Sequence, residues 1–229
     1  MTTSATYSYF PSTAELGLNA FGRIGVRRGE ILASHMQDLR NCANLLMVEM
    51  SNLQPNLWTV GLTSQALTSG TATYDVDPSV VMILDMYITY GDPGSTTDRL
   101  IFPISRTEYA SYPNKTQEGF PTVFWFDRLV SPTFTLWPVP DDTYTYTANY
   151  YVCRQTQDTN ITGGQTVELP YRFLEAFTAG LAWKLSEIYA PAQEEKMLAR
   201  YTRAWNIAAT QDVENVPLAI TPGLDSYFR

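Results

Sequence analysis

The residues best suited to chemistry are few and lie far apart in the sequence. The chain has one histidine, His35, and two cysteines, Cys42 and Cys153. A metal site needs three or four such ligands at a suitable spacing, and that spacing is absent here, so we expect no bound metal. His35 lies one residue off the apolar stripe of a helical pattern, which favours a structural role. Both cysteines are expected to be reduced, apolar core residues of a protein made in a cytoplasm.

Two adjacent acidic pairs are the remaining candidates for catalysis. Asp141 and Asp142 follow a proline-rich stretch, and Glu194 and Glu195 open a helical pattern. Paired carboxylates serve glycoside hydrolases as acid and base, and this alternative stays open. We favour a turn for the first pair and a solvated helix start for the second, where negative charge is stabilised by the helix dipole. Nucleotide-binding glycine patterns are absent, so we expect neither an enzyme nor a cofactor.

The composition favours binding over catalysis. Charged residues make up 17% and aromatic residues 13% of the chain, whereas soluble proteins carry about 25% charged residues. Scarce charge with abundant Tyr and Trp is typical of a surface that partners cover. A tightly folded monomer with aromatic strands is the alternative. Exposed aromatic residues such as Trp125, Tyr144 and Tyr146 also permit a carbohydrate- or receptor-binding β module.

The charge of the chain is unevenly distributed. The net charge is −8, and residues 61–170 hold five basic and twelve acidic residues. Proteins that grip nucleic acid usually show the opposite sign. An acidic surface could still face passing DNA without holding it, because like charge opposes adhesion. The only basic cluster is Arg23, Arg27 and Arg28. It is either a solvated loop or an electrostatic contact with an acidic partner or a nucleic-acid backbone.

No targeting or membrane segment is expected. The stretch MTTSATYSYFPS lacks the basic start and the apolar run of a signal peptide. No stretch approaches the roughly 20 apolar residues that a membrane-spanning helix needs.

Helical patterns stand near both ends of the sequence. Ser12 and Glu15 have capping-box spacing, which predicts a short helix to about Phe21. Apolar residues in steps of three and four predict a second helix over 32–53, and similar stripes predict helices over 170–189 and from Pro191 onwards. The segment RIGVRRGE is predicted to be a loop.

The sequence pattern in the middle of the chain predicts β-structure. Runs such as SVVMILDMYITY, TVFWFD and TFTLWPV are rich in Val, Ile, Thr and aromatic residues, and turn residues separate them. They predict an antiparallel sheet or small sandwich. The run TYTYTANYY alternates Thr with Tyr, which predicts one aromatic face and one hydroxyl face. Within TLWPVP, Pro138 and Pro140 place the strand end at a sheet edge, and SRTEYASYP predicts one helical turn.

These patterns predict an α+β fold. Neither long apolar stripe can be buried alone, so the terminal helices should pack together as an antiparallel bundle. The predicted organisation has four segments: N-terminal helices over 1–57, an inserted antiparallel β-rich domain over 58–169, C-terminal helices over 170–213, and an extended C-terminal arm over 214–229.

Several phrases stand in an order found in a known family. They are FGRIGV, PNLWTV, TATYDV, DMYI, DRLIFPISRTEYASYPNKTQEGFPTVFWFDR, TLWPVP and LPYRFLEAFTAGLAWKLSEIYAP. Over about residues 20–229 the chain resembles the head-to-tail adaptor (connector) proteins of short-tailed bacteriophages, of the tail tubular A or tail accessory factor type. The chain departs from the pattern at Leu32, where a threonine that starts the helix is expected.

The resemblance implies a structural virion protein with no enzymatic activity. Such adaptors form a homo-oligomeric ring, usually a dodecamer, that links the portal protein to the tail nozzle and extends the DNA channel. Their helical part carries the ring contacts, and their β-rich part faces the nozzle or tail fibre proteins. The protein would be located in the neck or tail of the virion after assembly in the host cytoplasm, with no membrane partner. The arm would reach the portal, anchored by Tyr227, Phe228 and Arg229.

Overall fold

The structure is a computed structural model that describes residues 3, 5–53, 57–92, 94–160 and 163–212. Within those residues the chain is a mixed α+β protein with five α-helices and a seven-stranded sheet. This confirms the predicted mixture of helix and sheet, whereas the antiparallel helical bundle stays a prediction. The predicted arm over 214–229 lies outside the described residues, and the predicted boundaries of the four segments stay predictions. No helix of the described part is long and apolar enough to cross a membrane.

The helices occur where the apolar stripes predict them. Short 3₁₀ turns follow or precede them at Arg28–Glu30, Leu57–Thr59, Tyr171–Phe173 and Pro191–Gln193. The first of these turns interrupts the segment predicted to be a loop. The α-helices are α1 (Thr13–Arg23), α2 (Ala33–Leu53), α3 (Arg106–Ser111), α4 (Leu174–Tyr189) and α5 (Glu194–Ala209).

The start of α1 shows the predicted capping box. The Glu15 N–H donates to Ser12 Oγ over 3.3 Å, and the Ser12 N–H donates to Glu15 Oε2 over 3.0 Å. Two otherwise unpaired backbone donors are thereby satisfied. The helix continues to Arg23, two residues beyond the predicted end.

Helices α1, α2, α4 and α5 share one hydrophobic core, and we call them the helical part. Helix α4 is the central element because α1, α2 and α5 each contact it. Two glycines, one in α1 and one in α4, permit these helices to approach α2 closely. A Cβ added at Gly17 would lie 2.1 Å from Leu39 Cδ2, and one at Gly180 would lie 2.8 Å from both terminal carbons of Leu46. Both leucines are fully buried.

The strands form one sheet in the order β1-β7-β3-β4-β5-β6-β2, and together with α3 they are called the β part. Its long central strands are β3 and β7, which pair along most of their length. The bounds are β1 (Val60–Ala66), β2 (Thr73–Asp75), β3 (Val80–Asp92), β4 (Ser95–Pro103), β5 (Val123–Asp127), β6 (Thr133–Trp137) and β7 (Thr145–Arg154).

The prediction of a purely antiparallel sheet is wrong at one pair. Strands β4 and β5 run parallel, with Phe102 opposite Val123 and Pro103 opposite Phe124. An antiparallel pair can be joined by a tight turn, but a parallel pair needs a longer return path. Helix α3 lies in that connection. The single helical turn predicted in SRTEYASYP is therefore the element that lets the chain reverse direction between the two strands.

The two faces of β7 differ as the Thr–Tyr alternation predicts. Tyr146, Ala148 and Tyr150 are buried in a second hydrophobic core. On the opposite face, Asn149 receives a hydrogen bond from Ser64 Oγ over 2.6 Å and donates to Thr89 Oγ1 over 2.8 Å. This polar chain crosses the sheet from β1 to β3.

Residues 155–169 connect the β part to the helical part. Thr159, which is buried, donates its N–H and its hydroxyl to Asn44 Oδ1 on α2 over 2.9 and 3.1 Å. Arg154 and Glu168 form an ion pair at the two ends of this connection. Trp58 packs on Phe173 with the ring centroids 4.8 Å apart. Polar and aromatic contacts therefore hold the segments that connect the two parts against the helical part.

Candidate interaction surface

The structure gives His35 a structural position at the start of α2. The residue preceding the helix is Leu32, which has no side-chain oxygen to cap it. Instead, the Leu32 N–H donates to His35 Nδ1 over 3.1 Å. The imidazole stacks on Tyr189 with the ring centroids 4.7 Å apart and meets the Phe21 ring edge-on. His35 thus satisfies the backbone N–H of Leu32, as the third helical residue of a capping box does.

The two cysteines are also enclosed, and half-buried Tyr189 lies near Cys42. Cys42 and Cys153 are both buried free thiols, and burial raises the pKa of the Cys42 thiol. Burial and the Asp38 carboxylate raise the pKa of Tyr189 to about 12, because its hydroxyl donates to Asp38 Oδ2. In the described part of the chain, no three His, Cys, Asp or Glu side chains are arranged to hold a metal ion.

The acidic pairs lie in the local settings predicted for them. Asp141 accepts a hydrogen bond from the Tyr146 hydroxyl over 2.6 Å and from the Thr143 N–H over 3.1 Å. The Tyr146 hydroxyl thereby lowers the pKa of Asp141. Glu194 and Glu195 lie in the first turn of α5. The Asp141 bonds brace a turn against β7, which is a structural task for that carboxylate.

The aromatic residues proposed for glycan binding do not form a shared exposed platform. Tyr146 is buried. Trp125 stacks on Tyr109 of α3 with the centroids 5.5 Å apart, and the guanidinium of Arg106 lies over the same ring. Of the three residues, only the Tyr144 side chain is exposed to solvent.

The TLWPVP stretch is covered from within the chain. Trp137 stacks on Tyr112 with the centroids 4.1 Å apart and donates from Nε1 to the Asn114 carbonyl over 2.9 Å. Lys115 donates to the carbonyls of Ala110 and Tyr112, which fixes the end of α3. Trp137 therefore packs on the segment that follows α3.

A group of exposed aromatic rings lies beside α1 and the start of α4, and we call the space that it lines the aromatic groove. Its volume is about 630 Å³. Tyr7, Tyr9 and Tyr171 are 96, 76 and 76% exposed. Groups of aromatic rings that stay open to solvent usually mark an interaction surface. The groove is lined by Tyr7, Tyr9, Phe10, Leu16, Asn19, Arg23, Tyr171, Leu174, Glu175 and Thr178.

Backbone contacts hold the groove in place. The Thr13 N–H donates to the Gln165 carbonyl over 2.8 Å, and the Ala14 N–H donates to the Gly163 carbonyl over 2.9 Å. Gly163 adopts a φ of +61°, a conformation that glycine tolerates well. The segment before α4 therefore fixes the start of α1, and with it the aromatic residues just upstream.

The arginine groove adjoins the aromatic groove, and Arg23 and Glu175 line both. Its volume is about 440 Å³. Arg23 binds Glu175 through two hydrogen bonds of 2.8 and 2.7 Å. The groove is lined by Arg23, Arg172, Glu175, Arg200, Arg203, Ala204 and Ile207. Arg27 and Arg28 line an adjacent cleft that also includes Arg23.

The outward face of α2 carries a stripe without charge, which we call the α2 stripe. Leu45 and Val48 are 65 and 59% exposed. The nearby Glu49 is turned aside and pairs with Lys184 over 2.9 Å. The exposed stripe follows helical spacing and consists of Asn41, Leu45, Val48 and Asn52.

The sequence anticipated some of these surface residues and missed others. Arg23, Arg27 and Arg28 form a visible basic cluster in the sequence. No sequence pattern indicates that Arg200 and Arg203 of α5 line the same groove as Arg23. The exposed Tyr and Phe residues of MTTSATYSYFPS were a usable signal for the aromatic groove. Tyr227, Phe228 and Arg229, the expected portal-contact residues, lie outside the described residues, so their role stays a prediction.

Comparison with known proteins identifies the family. No curated protein matches the chain. The family model described as SU10 adaptor protein matches residues 29–221, which include α2, the whole sheet, α4 and α5. This match agrees with the resemblance to head-to-tail adaptors carried by the sequence phrases. The chain therefore belongs to the SU10 adaptor protein family and is a structural adaptor protein of a bacteriophage.

Proposed function

We propose that this adaptor forms a ring, a dodecamer as the resemblance implies, that links the portal protein to the tail nozzle and extends the DNA channel. It acts in the neck of the virion, after assembly in the host cytoplasm, as a structural component without catalysis. DNA passes through the ring without sequence-specific binding. The excess of acidic residues over 61–170 supports this, because like charge opposes adhesion of the DNA backbone.

The observation that carries the proposal is the α2 stripe. A helix surface that faces water usually carries charged residues, whereas this one presents Leu45 and Val48 between two asparagines. Burying it against another subunit removes apolar area from water without desolvating a charge. We assign its partner as a neighbouring copy of this chain in a closed ring, in which each subunit uses two different faces.

The C-terminal arm supplies the second part of the proposal. Residues 216–229 reach the portal, where Tyr227 and Phe228 are buried and the Arg229 guanidinium pairs with a carboxylate. Ordering an extended arm costs conformational entropy on binding. Burial of Tyr227 and Phe228 and the Arg229 ion pair must therefore offset that cost at the portal.

A sedimentation experiment tests the ring contact. The purified chain is mixed with portal particles, and the portal fraction is probed for the adaptor. The double variant L45D/V48D should no longer co-sediment as a ring, because each new carboxylate would be buried without a partner. The matched control is L129D/V130D, in the loop between β5 and β6, where Leu129 and Val130 are also exposed.

The outcomes separate the possibilities. The control should bind the portal like the wild type, and both variants should keep the wild-type helical signal in circular dichroism. If L45D/V48D still assembles fully, the α2 stripe is not the ring contact. If the wild-type chain stays apart from portal particles, the adaptor role proposed here fails. Removal of residues 216–229 should abolish attachment without loss of helix, and retained attachment would refute the role of the arm.

A further inference from the structure

We infer that the arginine groove binds an acidic, partly apolar polypeptide segment of a partner protein. The protein carries 15 Lys and Arg residues and a net charge of −8, yet four arginines line this groove. They come from three parts of the sequence: the end of α1, the turn before α4, and α5. Such a convergence in an acidic protein creates a local field of the opposite sign to that of the whole molecule.

The groove already shows which chemistry its arginines accept. Arg23 holds the Glu175 carboxylate in a two-bond, fork-to-fork arrangement, and Arg172 pairs with the Asp212 carboxylate. Planar guanidinium groups suit carboxylates in this way. The groove thus contains two examples, within one chain, of the contact that a partner carboxylate would make.

Two arginines remain available for a partner. Arg200 and Arg203 lie three residues apart and therefore on one side of α5, and both are exposed. Within the described residues neither forms an ion pair. A segment with two carboxylates would pair with Arg200 and Arg203, whereas Arg23 and Arg172 are already neutralised by Glu175 and Asp212.

The lining distinguishes a polypeptide from DNA. Ile207 lies on the same side of α5 as Arg203 and is 62% exposed, and Ala204 lies beside it. A sugar-phosphate backbone gains nothing from this apolar surface, but an aliphatic side chain does. Alternating acidic and apolar residues fit all of these features.

The inference deepens the proposed adaptor function, because it gives the chemistry of one partner. It rests on that function in one respect, namely that the partner is a virion protein. The test measures peptide binding to the full chain and so can fail separately. The probe is a fluorescein-labelled peptide in which Glu alternates with Leu, and a second peptide replaces each Glu by Gln. Binding is followed by fluorescence anisotropy at low and high ionic strength.

The test variant is R200Q/R203Q, and the matched control is R106Q/R128Q, which removes the same charge from exposed positions of the β part. We expect the acidic peptide to bind the wild type and the control equally. We expect R200Q/R203Q to weaken binding about tenfold, as the loss of two charge-assisted contacts implies. Added salt should weaken the wild-type complex.

Three results would overturn the inference. The first is equal affinity of R200Q/R203Q and the wild type for the acidic peptide. The second is equal affinity of the Glu and Gln peptides for the wild type. The third is displacement of the acidic peptide by a 20-base-pair DNA duplex at a lower concentration than unlabelled peptide requires, because that result would assign the groove to nucleic acid.

Discussion

The β part and the helical part use their aromatic residues in opposite ways. In the β part, Trp125 and Trp137 are each stacked against a tyrosine of the α3 segment. In the helical part, Tyr7, Tyr9 and Tyr171 surround a groove and remain largely open to solvent. The two tryptophans of the sheet are thus covered from within the chain. The difference teaches that an aromatic-rich segment is not by itself a free surface, since the tyrosines beside α1 and α4 are the ones that stay exposed.

The two parts also differ in how they pack. The helices approach closely because Gly17 and Gly180 have no side chain at the contact. The sheet relies on alternation, with tyrosines on the buried face of β7 and a chain of polar side chains on the other. Substitutions in each part therefore test different contributions to the free energy of unfolding, from core burial to surface ion pairs.

The largest effects are expected from truncation of one core phenylalanine in each part. Phe177→Ala in α4 and Phe134→Ala in β6 each remove a fully buried ring and should lower the free energy of unfolding by about 3–5 kcal/mol. Because contacts through residues 155–169 join the two cores, each variant should shift one common transition in urea, seen by both circular dichroism and tryptophan fluorescence. Separate transitions for the two signals would contradict this coupling.

The junction between the parts gives the next effect. Asn44→Ala removes the acceptor of two hydrogen bonds from buried Thr159 and should cost about 2–3 kcal/mol, because the Thr159 donors lose their partner out of contact with water. Asn52→Ala is the control, since Asn52 is exposed on the same helix. Urea unfolding of both variants provides the measurement, and equal stabilities would show that the junction adds nothing.

Glycine substitution tests the close helix packing. Gly17→Ala should lower stability by about 1–2 kcal/mol, because overpacking against buried Leu39 outweighs the better helix propensity of alanine. Gly22→Ala lies in the same helix, and a Cβ there meets nothing within 4 Å. It should be neutral or stabilising by up to about 1 kcal/mol. Thermal unfolding of the pair measures the difference, and a loss at Gly22 equal to that at Gly17 would refute the packing argument.

The smallest effect is a pH dependence at the junction. Partial burial raises the pKa of Glu168, but hydrogen bonds from Arg154 and from the Gln157 N–H outweigh it, so the net pKa lies below the ordinary 4.5. A lowered folded-state pKa stabilises the protein above the ordinary value, and this stabilisation is lost as pH falls through the folded-state value.

The wild type should therefore lose slightly more stability than Glu168→Gln between about pH 5 and pH 3, by less than about 1 kcal/mol, because the ion pair is partly exposed. Parallel urea titrations at each pH give the difference. A constant difference between the two proteins across this range would show that Glu168 does not titrate with folding.

The sequence predicted the local elements better than their relations. The apolar stripes and the Ser12–Glu15 box located the helices, since these depend on residues three or four apart. The parallel pairing of β4 and β5 could not be predicted, because it depends on how the α3 connection returns the chain. That Arg23 and Arg203 line one groove could not be predicted for the same reason, because no local pattern links α1 to α5. His35 was expected to be structural, and its hydrogen bond from the Leu32 N–H could be predicted only once the helix start is known.

The most direct test of the account is electron cryo-microscopy of the chain assembled on its portal. The account predicts a closed ring of copies in which the α2 stripe, with Leu45 and Val48 at its centre, is buried against the neighbouring subunit. A single bound copy, or a ring in which Leu45 and Val48 face solvent, would contradict it.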